Sequence, residues 1–102
     1  MIKYFLIIII LLLQTSLLYA EDAKSHYEKG AAYLMNAALV HTIERTDLIN
    51  SATSEFKEAI KLNPKYTEAY YDLGLAYRMK GRDAEAISSF KKAIEIKPDF
   101  VD

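Results

Sequence analysis

Two stretches of this chain of 102 residues share one pattern at a fixed spacing. Residues 56–64 read FKEAIKLNP and residues 90–98 read FKKAIEIKP, so their closing prolines lie 34 residues apart. A period of that length predicts helical hairpins that stack on one another, because one hairpin cannot bury its apolar face alone. The repeat therefore favours an all-α fold. The sequence has only three glycines and two prolines, which agrees with a largely helical chain.

The second unit, residues 67–98, contains two apolar helix faces. They are Tyr70, Leu73 and Tyr77 at i, i+3 and i+7 on the first helix, and Ala86, Phe90, Ala93 and Ile94 on the second. Small residues at Gly74 and Ala86 allow the two helices to approach closely. We expect Phe90 to fill the space between them.

The boundaries of these two helices are also readable. Gly81 can adopt a positive φ and end the first helix. Asp83 is a candidate N-cap, or a first-turn acid, for the second. Pro98 cannot continue that helix and closes the unit.

Taken together, these positions resemble the tetratricopeptide repeat family. The signature residues of that family are filled here by Tyr70, Leu73, Gly74, Tyr77, Gly81, Ala86, Phe90, Ala93 and Pro98. The resemblance implies an antiparallel, right-handed stack of helical hairpins. It also implies a concave groove that holds peptides.

The first unit follows the same pattern with an insertion of ten residues. Tyr27, Gly30 and Tyr33 stand in the places of Tyr71, Gly74 and Tyr77, and Ala52, Phe56 and Ala59 in those of Ala86, Phe90 and Ala93. His26 and Lys29 replace the bulky residue and the leucine of the family. Apolar periodicity on both sides predicts two lengthened helices that meet at residues 42–46, with Thr46 or Asp47 as the cap. A disordered loop is the less favoured alternative.

The expected architecture is two stacked antiparallel hairpins with helices at about 23–42, 47–62, 67–80 and 83–96. Its three parts are residues 1–20, a first repeat at 23–66 and a second at 67–100. Ala59 is expected to pack against the helix that contains Tyr70.

The first twenty residues differ from the rest. Lys3 precedes an apolar run at residues 4–13, and Ala20 precedes a charged pair. This layout predicts a signal peptide cleaved after Ala20, because the run is shorter than the roughly twenty residues that cross a bilayer. However, Leu18 stands where a small residue is preferred. The alternative is an uncleaved membrane anchor at residues 4–19. Both interpretations export the remainder, to the periplasm, the cell envelope or the medium.

The last hairpin is expected to leave an apolar edge, with Ala93, Ile96 and Phe100 facing water. Three explanations stay open. The chain is the truncated N-terminal part of a larger repeat protein, or it docks a partner or a second copy as an assembly subunit, or the long first hairpin supplies enough core.

The sequence shows no constellation that would carry chemistry. It has no cysteine, which excludes disulfides and thiolate metal sites, and its net charge of −1 argues against nucleic acid. His26 and His41 have no acidic or cysteine partner at ligand spacing. We therefore expect no enzymatic activity, no metal and no cofactor.

A binding role rests on the groove that the resemblance implies. The groove positions are Lys24, Tyr27, Ala31, Leu34, Met35, Glu68, Tyr71, Leu75, Arg78 and Met79. Of these, the candidate protein-binding residues are Tyr27, Leu34, Glu68, Tyr71, Leu75 and Arg78. The packing pattern does not account for Tyr71, Leu75 or Arg78. Tyr71 and Leu75 also occupy places where the carboxylate clamp of the family has Lys and Asn, so capture of a free C-terminus is not supported.

The leading hypothesis is an exported interaction module that binds a peptide or a partner helix of unidentified origin. The competing interpretation is that these residues are only the surface of a stacking scaffold.

Overall fold

A computed structural model describes residues 2–100, which form four helices. They are α1 (Ile2–Leu39), α2 (Glu44–Leu62), α3 (Thr67–Met79) and α4 (Asp83–Ile96). Each helix packs mainly against the next in the chain, and α1 also touches α3. No strand occurs among the described residues. The predicted all-α fold of two antiparallel hairpins is confirmed.

The first helix is much longer than the sequence predicts. It starts at Ile2 rather than near residue 23, and it runs without interruption for 38 residues. No glycine or proline precedes Gly30, so nothing in the sequence breaks the backbone between the apolar N-terminal segment and the first repeat. Residues 2–20, called the apolar segment from here on, therefore continue the helix of the first repeat toward the N-terminus.

The tip of the first hairpin differs in detail from its prediction. α1 ends at Leu39 and α2 begins at Glu44, so the turn is earlier and shorter than residues 42–46. The predicted cap is wrong: Ile43 occupies the N-cap position, and no side chain caps the helix. Backbone bonds take over this role, since the amides of Arg45 and Thr46 donate to carbonyls in the turn at 3.0 and 3.2 Å. The inserted residues lengthen both helices, as the apolar periodicity predicts.

Close approach within each hairpin depends on a glycine facing a phenylalanine. A Cβ added to Gly30 would lie 2.6 Å from the ring of Phe56, and one added to Gly74 would lie 2.6 Å from the ring of Phe90. Phe56 is fully buried. In both hairpins a glycine therefore leaves room for a phenylalanine ring of the facing helix, and Phe90 fills the predicted space.

The turn between α3 and α4 also follows its prediction. Gly81 has a φ of 74°, its amide donates to the carbonyl of Arg78 at 3.0 Å, and the next amide donates to the carbonyl of Tyr77 at 2.9 Å. This pair of bonds is the Schellman motif of a helix that ends in glycine. Asp83 lies in the first turn of α4 and is not its N-cap, because Arg82 holds that position.

The core lies where the two hairpins meet. One cluster consists of Ala52, Phe56, Leu73, Tyr77 and Ala86. A second consists of Ala37, Ile49 and Ala76 and sits at the lengthened end of the first hairpin. Ala59 is fully buried as well. Tyr33, which corresponds to Tyr77, is exposed because no described element packs on that side of α1.

The predicted open edge of α4 needs correction. Ala93 is fully buried under α3, while Ile94, predicted on the buried face, is 41% exposed and Ile87 is 53% exposed. One repeat earlier, the place of Ile87 is taken by Thr53, which is 7% exposed. The edge exists, but its apolar residues are Ile87 and Ile94. Ile96 and Phe100 are half-buried.

A candidate protein-binding groove

Two aromatic clusters place the tyrosines of the groove helices. The ring of Tyr27 lies 5.9 Å from that of Phe56 and 5.1 Å from that of Tyr66. One repeat later, the ring of Tyr71 lies 5.4 Å from that of Phe90 and 5.6 Å from that of Phe100. These separations are typical of favourable aromatic pairs. Packing therefore accounts for the position of Tyr71. The ring of Tyr71 also covers part of Phe100.

A hydrogen bond joins the two hairpins across the groove. The hydroxyl of Tyr27 donates to Oδ2 of Asp72 at 2.8 Å. Burial raises the pKa of the Tyr27 hydroxyl above its ordinary value, and the hydrogen bond and charge of Asp72 raise it further. Burial also raises the pKa of Asp72; its bond from Tyr27 acts in the opposite direction, and nearby Glu68 adds to the rise. This pair links α1 to α3.

Between α1 and α3 lies an open cavity of about 660 Å³, called the groove from here on. Its apolar walls are formed by Ala31, Leu34, Met35, Ala38, Leu75 and Met79, with Asp72 and Arg78 as its polar members. Of the six candidate binding residues, the groove brings together Leu34, Leu75 and Arg78. Tyr27 and Tyr71 do not line it and pack against Phe56 and Phe90 instead. Glu68 is exposed in the first turn of α3.

The polar residues of the groove are not equivalent. Asp72 already accepts the bond from Tyr27. Arg78 is exposed, and among the salt bridges of the described residues it has no partner. The groove therefore offers apolar contact with one available positive charge, which suits a segment that carries apolar side chains and a carboxylate.

Sequence reasoning missed Asp72 and the partner of His26. Asp72 adjoins Tyr71 in the sequence, but its bond reaches Tyr27 in the other hairpin, which no local pattern reveals. Nδ1 of His26 contacts a carboxylate oxygen of Glu55 at 2.5 Å and ties α1 to α2. No acidic partner of His26 is predicted from the sequence, but folding brings Glu55 into contact with it. Residues 2–100 contain no group of three potential metal ligands.

The apolar segment is the second feature that bears on function. Its large side chains are exposed, except that of the half-buried Ile9. By length and composition, α1 is the one helix in the described part of the chain that could cross a membrane. A signal sequence has the same appearance.

Comparison with known proteins places the repeats in a family. The tetratricopeptide repeat family matches residues 67–100, and a further family description, TPR repeat, matches residues 49–81. The second match spans α2 and α3, so it covers the interface between the two hairpins. Together the two matches extend over residues 49–100.

Individual relatives agree. The chain is 39% identical over 49 residues to small glutamine-rich tetratricopeptide repeat-containing protein 2 of Mycosarcoma maydis, which is 48% of this chain and 14% of the relative. It is 32% identical over 69 residues to human tetratricopeptide repeat protein 6, which is 68% of this chain and 13% of the relative. It is 37% identical over 51 residues to cellulose synthase operon protein C of Escherichia coli strain K12, which is 50% of this chain and 4% of the relative.

The chain thus spans a small fraction of the length of each of these relatives, and the similarity lies in the repeats. Proteins with such repeats act in general through protein partners, which agrees with the apolar groove found here. The glycine–phenylalanine packing of both hairpins and the matches over residues 49–100 lead to one conclusion. This chain belongs to the tetratricopeptide repeat family and contains two repeats.

Proposed function

We propose that the chain is an exported scaffold, held at a membrane by its apolar segment, which binds an apolar segment of another protein in the groove. The observation that carries the binding role is the composition of the groove. Its walls present leucine and methionine side chains, and Arg78 adds one positive charge. Methionine-rich surfaces adapt to different apolar ligands.

The expected ligand is an amphipathic helix or an extended peptide. Leu34, Leu75 and Met79 would contact its apolar side chains, and Arg78 would pair with a carboxylate on it. The groove has no second available cation to hold a terminal carboxylate as a clamp would. An internal segment therefore fits better than a free C-terminus.

Peptide display on the full chain, reconstituted in lipid nanodiscs, tests this ligand class. We expect selected peptides to share spaced large apolar residues and at least one Asp or Glu. Replacement of Leu75 by Arg should abolish their binding, and Arg78→Gln should weaken acidic peptides more than neutral ones. Ser88→Arg on the outer face of α4 is the matched control. If the selected peptides bound the Leu75→Arg variant as well as the parent, the groove would not be their binding site.

Anchoring is supported by three observations. Residues 2–20 extend about 28 Å as a helix, close to the thickness of about 30 Å of the hydrocarbon core of a bilayer. α1 continues through Ala20 and Glu21 without a break, and Leu18 does not suit a cleavage site. With Lys3 on the cytoplasmic side, the repeats would lie outside. Mass spectrometry of the mature protein should find the N-terminus intact, whereas a chain that starts at Glu21 would contradict anchoring.

A second candidate function is assembly through the edge of α4. Ile87 and Ile94 are exposed where the corresponding residues of α2, Thr53 and Ile60, pack under the next helix. An added helical element would cover them. If this edge drives assembly, replacing Ile87 and Ile94 by Glu should convert oligomers to monomers in detergent, as measured by native mass spectrometry. A monomer before the substitution would dismiss this candidate.

A further inference from the structure

The repeat pair and the apolar segment overlap along the axis of α1. α2 runs back along α1, and its last residues reach the apolar segment. One hollow is lined by Thr15, Ser16, Tyr19 and Ala20 of α1 together with Leu62 and Asn63 at the end of α2. The link between α2 and α3, residues 63–66, therefore begins level with the last turn of the apolar segment and ends level with Tyr27, whose ring lies 5.1 Å from that of Tyr66.

This overlap has a consequence for a membrane-inserted chain. The headgroup regions add about 5–8 Å to each side of the hydrocarbon core. If residues 2–20 cross the hydrocarbon core, residues 21–25 of α1 occupy the headgroup region, because they rise about 8 Å along the helix axis. The link stands beside them, since it runs from the level of Ala20 to that of Tyr27, so it lies among the headgroups and not in bulk water.

The side chains at this end suit that location. Lys61 and Lys65 are exposed on either side of Pro64, which is exposed too. Tyr19, which lines the hollow with Leu62 and Asn63, exposes its ring as well. Lysine and tyrosine are the residues that favour the membrane interface, since their apolar stems and rings lie among lipid while their polar ends stay hydrated.

Acidic residues at the same end of the repeat pair show which kind of attraction could hold the link at the membrane surface. Glu21 and Asp22 follow the apolar segment, and Glu68 begins α3; all three are exposed. They offset the lysines, so net attraction to an anionic surface is not the cause. Individual contacts of Lys61 and Lys65 with lipid phosphates, which the position of α1 brings within reach, are the better account.

We propose that the α2–α3 link is a membrane-contact site, in which Lys61 and Lys65 bind phosphates of the lipid headgroups around α1. This inference rests on the proposed anchoring. It deepens that proposal because a second contact fixes how the repeats stand on the bilayer. The groove then opens sideways between about 16 and 27 Å above Ala20, as the rise from Ala31 to Ala38 gives. Partners are restricted to segments presented close to the membrane.

The absence of cysteine makes this geometry measurable. Nitroxide labels on single cysteines at Leu11, Lys61, Lys65 and Ile43 would report depth in vesicles of phosphatidylcholine and phosphatidylglycerol. The measurement compares collisions with oxygen and with a water-soluble nickel chelate. Leu11 tests insertion, the two lysine sites test the link, and Ile43 at the far tip is the control. Circular dichroism would verify that each labelled chain is helical.

We expect a deep label at Leu11, headgroup depth at both lysine sites, and collisions with nickel at Ile43 that are several-fold more frequent. A water-exposed label at Leu11 would refute the anchoring itself. A deep label at Leu11 with both lysine sites as exposed as Ile43 would overturn the contact site and leave anchoring intact.

The role of lysine is tested in the same vesicles. With the label at residue 65, Lys61→Glu should move it toward water, because the new carboxylate repels lipid phosphate. Lys91→Glu on the outer face of α4 should leave it in place. An unchanged label depth in Lys61→Glu would contradict phosphate binding by this residue.

Discussion

At the scale of single residues, the two hairpins differ in how deeply the phenylalanine that faces each glycine is buried. Glycine normally costs about 1 kcal/mol against alanine inside a helix. Here a Cβ at Gly30 or Gly74 would meet a phenylalanine ring at 2.6 Å. Phe56 is fully buried and has no space to move, whereas Phe90 is only half-buried and can shift toward solvent.

We therefore expect Gly30→Ala to lower the free energy of unfolding by about 1–3 kcal/mol, as overpacking does. Gly74→Ala should lower the free energy of unfolding by a smaller amount. Urea unfolding followed by circular dichroism measures both, with the exposed Ser88→Ala as control. If Gly30→Ala stabilises the protein as an ordinary helix substitution would, the packing described here is wrong.

The Tyr27–Asp72 pair predicts a dependence of stability on pH. Because the pKa of Asp72 is raised above its ordinary value of 3.8, the folded state binds a proton at this site more tightly than the unfolded state. Its ionised carboxylate therefore destabilises the fold at neutral pH, and this penalty disappears as pH falls through the raised pKa.

Asp72→Asn keeps an acceptor for the Tyr27 hydroxyl and removes the charge, so it should be at least as stable as the parent at pH 7. This advantage should shrink as pH falls toward about 4. Tyr27→Phe should cost about 1 kcal/mol at pH 7, since the carboxylate loses its donor. Urea unfolding at both pH values checks these changes, and an advantage of Asp72→Asn that does not change with pH would contradict them.

At the scale of elements, the lengthened first hairpin is held by a core of its own. Ile49 is 3% exposed and packs with Ala37 and Ala76, which belongs to α3. The inserted residues thus extend the hairpin and also carry α3. Ile43, at the tip of the same hairpin, is 90% exposed.

Ile49→Ala should lower the free energy of unfolding by about 2–4 kcal/mol, and hydrogen exchange at residues 37–49 should become faster. Ile43→Ala is the matched control and should change neither. Fast exchange at residues 37–49 in the parent chain would show that the extension is not a stable part of the hairpin.

How far each element could be predicted depended on whether its cause was local. The bounds of α3 and α4 followed from Gly81 and the closing prolines, which act on the backbone directly. The start of α1 could not be predicted in this way. Composition changes from apolar to charged at residue 20, but nothing there interrupts a helix. The tip was misplaced because backbone bonds, and not a Thr or Asp side chain, satisfy the first amides of α2.

The candidate site was only partly predictable for the same reason. Leu34, Leu75 and Arg78 lie in the groove because helix periodicity points them there. Tyr27 and Tyr71 shared that periodicity, but Phe56 and Phe90 fill the space beneath them and draw them into packing. Asp72 became part of the site through contact between hairpins, which depends on how the repeats are stacked.

At the scale of the whole molecule, three features combine. A helix of 38 residues joins an apolar segment to a repeat pair, the repeats form a groove on one side, and α4 leaves Ile87 and Ile94 uncovered. The shape is elongated, with extents of 61 × 28 × 19 Å. Such a molecule is suited to holding a partner segment at a defined distance from a membrane.

Binding of the partner in the groove can be measured by photocrosslinking in cells. A photoreactive amino acid is placed at Leu75 of the full chain, with Ser88 on the outer face of α4 as the reference position. We expect a discrete adduct of one partner at Leu75 that disappears with Leu34→Arg and is absent at Ser88. Equal adducts at the two positions, or an adduct at Leu75 that persists in Leu34→Arg, would contradict it.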